Sequence, residues 1–416
     1  MSRVYDIPHV DYVSQLSRHL VSVPHAKVGG GKRAGVAVVI RLVLPPDSQY
    51  PAFDTLNYGQ DRSPASLIQA VSAFLASPSF RGARAQILFM QRARYPGDPW
   101  SGHIGFPGGK HEDEDENSKA TAEREAREEL ALDLANEDQF IHLGELDNLG
   151  AYSFLNSRPL LVLSAHVYLQ VCEATPKMEL SDEADSIHWI DFDQVLRAIA
   201  QPCKPFSPEY HAIPADFASR LFPSYRRTQP LWYRVFRSIF GSCYYTVLPL
   251  RYTKEHSQFR KTQTPIPAND SSTEDAGSKY GDIQFSSDSE LYLWGLSLCI
   301  LSNLVDLSLP VEPRLLNSSY VSVASPWPQM DRYLWADVNF IINTVHRVVW
   351  SPYRRKPWYI KVQSGPSGRA VGNNTDFFIL YFRVYKTALL FSCLWKSSLA
   401  YILGRSCIRA IARIMG

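Results

Sequence analysis

An α/β fold, with strands gathered around one acidic helix, is predicted by three stretches of this 416-residue chain. Residues 35–44 (GVAVVIRLVL) form an apolar run of strand length, rich in Val and Ile. Residues 86–92 form a second such run. Between them and later apolar runs lies 118–132, where Ala122, Ala126 and Leu130 recur at helical spacing beside a row of carboxylates. With 45% apolar residues and a net charge of +2, the chain is globular, long enough for two or three domains, and not a polyanion binder by bulk charge, so no nucleic-acid partner is expected. Its six cysteines are scattered without a C-x-x-C pair, which argues against a disulfide framework or a zinc site and fits a reducing, intracellular compartment.

Taken in order, residues 1–34 read as an N-terminal extension. It has no long apolar core, so no secretory signal is expected, and Asp6 and Asp11 argue against an acid-poor transit peptide. Tyr12, Leu16, Leu20 and Val23 mark a short amphipathic helix, and glycines 29–31 a linker. The strand at 35–44 is followed by a helix at 63–76 and a strand at 86–92. Then come a tight Pro107-Gly108-Gly109 turn, an acidic loop, and the helix, capped by Asn117 or Ser118. Strands are predicted at 140–146, 160–171 and 186–192, and a helix at 194–200. Residues 201–289 read as an insertion: 222–245 is aromatic and basic, and 264–289 is polar and expected to be disordered. Residues 291–307 are apolar but short of the roughly 20 residues of a membrane span, and are read as core. The main domain is placed at 35–308, followed by a linker region at 309–375 with a short helix near 337–350, and a basic, apolar helical tail at 376–416.

The acidic helix carries the chemistry. Glu125 and Glu129 are one turn apart and Glu128 crowds them; like charges at that spacing destabilise a bare helix by a few tenths of a kcal/mol. A divalent cation would turn the repulsion into coordination, and all-oxygen ligands suit Mg²⁺ or Mn²⁺. A plain solvated acidic face is the alternative reading of the same residues.

Gly109, Glu116, Arg124-Glu125-Ala126, Glu128-Glu129 and Ala131-Leu132 together resemble the box of the Nudix family. Two departures stand out. The gap from Gly109 to Glu116 is one residue longer than the general pattern, and Ala131 stands where a glycine is usual. The preceding Gly102-His103-Ile104-Gly105-Phe106-Pro107-Gly108-Gly109 is similar to the coenzyme A diphosphatase branch, although that branch's L-R-x-H element is replaced by residues 95–101. The resemblance implies a Nudix-type α/β/α sandwich with a mixed sheet, a partly disordered insertion and a helical C-terminal extension. It implies a Mg²⁺- or Mn²⁺-dependent hydrolase of a small-molecule diphosphate. Coenzyme A or acyl-coenzyme A is the first substrate expected; ADP-ribose or another nucleoside diphosphate derivative is the alternative. A retired, membrane-tethered binding protein is the rival from another class.

By the same resemblance Glu125 and Glu129 are the principal metal ligands, supported by Glu128 and the Gly109 carbonyl. Glu129, Glu128 and Glu183 are the catalytic candidates; Asp182 and Asp185 compete with Glu183. Arg92, Arg94, Phe106 and Lys110 are expected to bind substrate, and Gly108, Glu116 and Arg124 to hold the motif in shape.

The tail is read separately. From 377 to 416 there are six Arg or Lys and no acid, around an apolar stretch at 387–404 interrupted by Lys396. One reading is a helix lying on or crossing an anionic membrane; the other is a helix packed on the catalytic body. The last three residues do not match the peroxisomal S-K-L address. The sequence carries no signal for oligomeric state.

Overall fold

The structure, a computed structural model, describes residues 8–22, 30–54, 61–94, 102–152, 159–200, 212–216, 225, 228–240, 242–260, 290–308, 329–330, 336–345 and 374–415. One strand, β1 (Lys32–Val43), is its hub. It pairs antiparallel with β2 (Arg84–Arg92), for example Ile40 opposite Ile87, and antiparallel with β4 (Gly108–Lys110), where Gly35 faces Gly109. On its other edge it runs parallel to β7 (Pro159–Gln170), from Lys32 opposite Leu161 to Ile40 opposite Leu169. The short β3 (Ile104–Gly105) adds to β2. β5 (Phe140–Glu145) and β6 (Leu149–Tyr152) add to β7, and β8 (Ala184–Asp191) to the far side of β2.

Successive side chains of β1 point to opposite faces, and both faces are buried. Val36, Val38 and Ile40 belong to one core with Tyr12, Leu16 and Leu20 of α1 (His9–Ser22), Val71 and Phe74 of α2 (Pro64–Leu75), and Leu298 and Leu301 of a later helix. Ala37 and Val39 belong to the other, with Ala122, Ala126 and Leu130 of α3 (Ser118–Leu130) and with Tyr168 and Trp189. The result is the α/β/α sandwich with a mixed sheet. α2 starts where Ser63 accepts a hydrogen bond from the Ser66 N–H and Pro64 occupies the first turn. α4 (Phe192–Ala200) follows β8 directly.

Several boundaries differ from those expected. The N-terminal extension is not separate from the body: Tyr12, Leu16 and Leu20 are almost wholly buried, Tyr12 packs on Phe192, and β1 already begins at Lys32. An amphipathic stripe needs a surface to cover it, and here the sheet supplies it. Val23 and Gly29 lie outside the described residues. The insertion is likewise not one detached piece. After β9 (Ala212–Asp216) and α5 (Leu231–Phe240), β10 (Ser242–Arg251) buries Val247, Leu248 and Leu250. β11 (Ser257–Phe259) then joins the edge of the main sheet, with Ser257 opposite His188. The strand that β10 pairs with lies about 40 residues further along the chain, beyond 264–289. That partner is β12 (Glu290–Trp294), paired with β10 from Val247–Trp294 to Arg251–Glu290. The stretch at 264–289 lies outside the described residues.

α6 (Gly295–Ser308) continues from β12 and is core, as read: Leu298, Leu301, Leu304 and Val305 are fully buried. Beyond it are β13 (Gln329–Met330), α7 (Ala336–Val345) and α8 (Asn374–Met415); the rest of the 309–375 region lies outside the described residues. α8 packs on α7 and β6, burying Tyr385, Ala388 and Ser392. Residues Arg383–Arg409 are long and apolar enough, by length and composition, to cross a membrane.

Candidate active site

Glycines let the acidic helix and the sheet touch. A Cβ on Gly35 of β1 would lie 2.3 Å from the Ser118 carbonyl at the start of α3. A Cβ on Gly109 would lie 2.3–2.6 Å from the Glu125 carboxylate. Gly108 has φ 149° and its backbone is pressed against Gly35 and Val36. No other residue type fits that approach, so the Pro107-Gly108-Gly109 turn lays its backbone directly under the carboxylates of α3. Asn117 caps the helix, accepting from the Lys119 and Ala120 N–H groups. At the other end Ala131 adopts the left-handed conformation (φ 53°, ψ 31°), the strained cap its replacement of glycine predicts.

Glu129 is 2% exposed. Its Oε2 accepts from the Gly108 N–H at 2.8 Å. Its Oε1 is buried without a hydrogen bond, and Arg92 Nη1 stands 3.8 Å away. Burial pushes this carboxyl up to about 8, against the Gly108 N–H, with Glu125 and Glu183 adding in the same direction. Burial also raises Glu125, which keeps an Arg124 contact at 3.1 Å. Two carboxylates and a backbone turn are thus brought together on one surface. Glu128 is more exposed and its Oε2 accepts from Arg124 at 3.0 Å.

Arg124 proves to be the clamp of this region. It donates to both oxygens of Asp115 (3.0 and 3.1 Å), to Glu125, to Glu128 and to the Lys110 carbonyl at 2.9 Å. Those hydrogen bonds hold Asp115 at about 2. The acid expected to support the motif was Glu116; the structure assigns the work to its neighbour, and Glu116 is exposed. The reason is reach. Asp115 closes the loop onto its own Glu112 N–H and turns inward, whereas Glu116 faces water. The signal was present in the sequence: counting the general gap from Gly109 lands on Asp115, so the extra residue lies between the acid and Arg124.

The expected substrate residues fall into two groups. Arg92 lies between Glu129 and Glu183, 3.9 Å from the latter, so Glu183 does stand beside the cluster. Arg94 is exposed at the same edge, next to Gly102. Lys110 is exposed and gives only its carbonyl to the clamp. Phe106 is a correction: it is 6% exposed, its ring 5.0 Å from Phe89 in the core, and it anchors the loop rather than lining a substrate surface. Asp182 is bonded to Arg260, which also donates its backbone N–H to Asp185. Arg260 was not singled out in the sequence because it arrives from β11, inside the presumed insertion. The wall beyond β3 is Trp294, edge-on to His103 at 5.0 Å, with Ser297 beside Gly105.

Among the described residues no group of three or more His, Cys, Asp or Glu is already assembled around a metal position. The donor set still fits a hard cation. Glu129 Oε1 is a buried oxygen that accepts no hydrogen bond and has only the Arg92 charge at 3.8 Å, and the Glu125 carboxylate lies against the Gly109 backbone.

Residues 69–210 match the NUDIX domain family. The uncharacterized protein C14C4.10c of Schizosaccharomyces pombe is 33% identical over 111 residues, covering 26% of this chain and 33% of that protein, so the chain spans about a third of the length of the curated relative it matches. Among solved structures, the Nudix hydrolase RenU of M. smegmatis is 15% identical, covering 51% of this chain and 91% of that one, with a TM-score of 0.25. The NUDIX domain of Shewanella oneidensis NrtR, complexed with ADP-ribose, is 15% identical over 41% and 79% of the two chains (TM-score 0.24). A C. elegans Ap4A hydrolase is 15% identical over 40% and 84% (TM-score 0.23). The residues matched to that family include the glycine turn, the Arg124 clamp and the paired glutamates Glu125 and Glu129.

Proposed function

We propose that the domain is a Mg²⁺- or Mn²⁺-dependent hydrolase that cleaves a diphosphate linkage. The observation that carries this reading is the Glu125–Glu129 pair packed over Gly108 and Gly109, with one Glu129 oxygen buried and accepting no hydrogen bond. Glu125, Glu129 and the Gly109 carbonyl hold the cation, and Glu128 supports them. When bound, the cation neutralises phosphate charge and lowers the pKa of a coordinated water. Glu129 Oε1 or the Glu183 carboxylate takes the proton from the attacking water. Arg124 keeps the carboxylates in place through Asp115, and Arg92 and Arg94, with Lys110, meet the phosphates. A retired binding domain has no use for a buried, self-repelling glutamate pair, which favours the enzyme.

Coenzyme A or an acyl derivative is the substrate we favour, giving 3′,5′-adenosine bisphosphate and (acyl-)4′-phosphopantetheine. The support is the segment from Gly102 to Lys110. Hydrolysis of ADP-ribose is the second reading, favoured by the absence of the L-R-x-H element. Rates on coenzyme A, dephospho-coenzyme A and ADP-ribose decide between them. A kcat/KM higher for coenzyme A than for dephospho-coenzyme A is expected, shrinking in Arg94→Ala. Equal rates on the two, or activity confined to ADP-ribose, would remove coenzyme A and leave the hydrolase. The basic apolar tail brings the domain to a membrane surface.

A further inference from the structure

The tail helix α8 changes character along its length. Between Arg383 and Lys396 it has one covered face, formed by Tyr385, Ala388 and Ser392. There Asp337 of α7 takes hydrogen bonds from Lys396 Nζ (2.9 Å) and Trp395 Nε1 (2.7 Å), and Lys396 also reaches Ser392. The one lysine inside the apolar stretch is therefore already neutralised by the body. From Ser397 to Arg409 every residue is exposed.

At 3.6 residues per turn, Leu390, Leu394, Tyr401 and Ile408 fall within about 40° of one another, with Phe391 and Ile402 beside them. All six are exposed, between 58% and 69%. This stripe lies roughly opposite the covered face, about 170° round the helix, so it points away from the body along its whole length. Arg405 and Arg409 fall on the same side, between Leu394 and Ile402 around the helix. Arg405 stands 5.6 Å over the Tyr401 ring, its charge among the apolar side chains.

We infer that α8 lies flat on an anionic lipid surface through this stripe, with the body held above it by the Asp337 clamp. The inference rests on the membrane association proposed for the tail and specifies its geometry and lipid chemistry. Two observations exclude crossing. The turns from Tyr385 to Lys396 are fastened to α7 and β6 on one face, and the bare stretch from 397 to 409 is only about 20 Å long at 1.5 Å per residue, against a hydrocarbon core of about 30 Å. Extending the span toward Met415 would carry Arg405 and Arg409 into the lipid interior. The charge selects the lipid: six cations and no acid between 377 and 416 repel a second copy of the same helix and attract phosphatidylserine-type headgroups.

The test uses the full-length protein and vesicles of phosphatidylcholine with or without phosphatidylserine. Binding is expected only with phosphatidylserine and is expected to be weakened by salt. It should fall roughly 5-fold for each arginine, about 25-fold in Arg405→Gln/Arg409→Gln, and be lost in Leu394→Ser/Tyr401→Ser/Ile408→Ser. Cys407 is exposed and lies on the flank away from the arginines; bound protein should still react there with a membrane-impermeant maleimide at close to the free rate. Salt-insensitive binding that resists alkaline carbonate, with Cys407 protected at least tenfold, means a crossing helix; it overturns the flat geometry and leaves membrane association standing. No vesicle binding overturns both, whether the protein is monomeric or pairs through the stripe.

Discussion

α3 and α8 are both uneasy helices, for opposite reasons. α3 has charge where there is little water: Glu129 is buried beside Glu125, at the contact with a glycine turn. α8 has apolar side chains where there is only water, from Leu390 to Ile408. Each is nevertheless fastened in part by one aspartate that accepts several hydrogen bonds. Asp115 holds α3 through Arg124, and Asp337 holds α8 through Trp395 and Lys396. The difference teaches where to look for partners. A buried, like-charged pair points to a small, hard cation that a few oxygens can satisfy. A long exposed apolar stripe with charge of one sign points to an extended anionic surface.

The largest effect should come from neutralising the buried charge of α3. Glu129→Gln keeps an acceptor for the Gly108 N–H and is expected to lower kcat by at least about 10²-fold, measured with saturating Mg²⁺. In chelator the same change should raise thermal stability. The sign follows from linkage: the folded-state pKa is raised to about 8, so this carboxyl's contribution is intact below its ordinary value and is lost as pH rises toward 8. Wild type should therefore lose stability relative to Glu129→Gln between pH 5 and 9 (roughly the window set by those two values). Full activity in the variant would sink the hydrolytic mechanism; an unchanged stability gap across that window would show that Glu129 is better solvated than its burial implies.

The two clamps make the next prediction. Asp115→Asn removes the charge from a two-pronged pair with Arg124 and should destabilise the domain by about 1–3 kcal/mol, while Glu116→Gln should stay within about 0.5 kcal/mol. Chemical denaturation of both variants reads this directly, and equal losses would mean that Glu116 shares the load. Asp337→Asn should leave α3 and hydrolysis untouched but speed hydrogen exchange in α7 and in the first turns of α8. Burial alone would raise Asp337, but the Ser392, Lys396 and Trp395 hydrogen bonds outweigh it and hold it at about 2. Both aspartates have lowered values, so both clamps are in force above about pH 4 and weaken as pH falls toward 2.

How legible each helix was in the sequence follows the same divide. α3 could be read almost whole, because its caps, its apolar side and its glutamates are local features with fixed spacing. The strand order could not be read, since β1 pairs with β7 more than 120 residues on. Asp115 was hidden by an adjacent acid of the same type, and Phe106 by its place in a motif: a loop aromatic looks alike whether it faces substrate or Phe89. Arg260 and β10 were missed because they sit in a segment whose composition resembles an insert. The stretches 291–307 and 387–404 show the same limit from another side. Both are apolar, yet α6 is buried under the sheet and the exposed half of α8 is not; periodicity cannot say which neighbour arrives.

The smallest effect sharpens the contrast at the end of α3. Ala131 sits at φ 53°, ψ 31°, with its N–H bonded to the Arg127 carbonyl and the Leu132 N–H to that of Ala126. A Cβ in this region meets the carbonyl beside it, at roughly 1 kcal/mol. Ala131→Gly removes that strain but frees the unfolded chain, which returns part of the gain. The net expectation is a stabilisation of about 0.5 kcal/mol, or roughly 1–2 °C in Tm for a body of this size, with kcat unchanged because the helix end carries no ligand. A matched change in α8, Gly404→Ala, has no such conformation to relieve: Gly404 is helical, with open space around its Cβ position, so alanine there should gain helix propensity of about 1 kcal/mol in that helix without moving the global Tm. If Ala131→Gly instead destabilises, the left-handed cap is held by the packing of Leu132 and Leu134 rather than tolerated at a cost, and the departure from glycine in the box is a fitted feature of this chain.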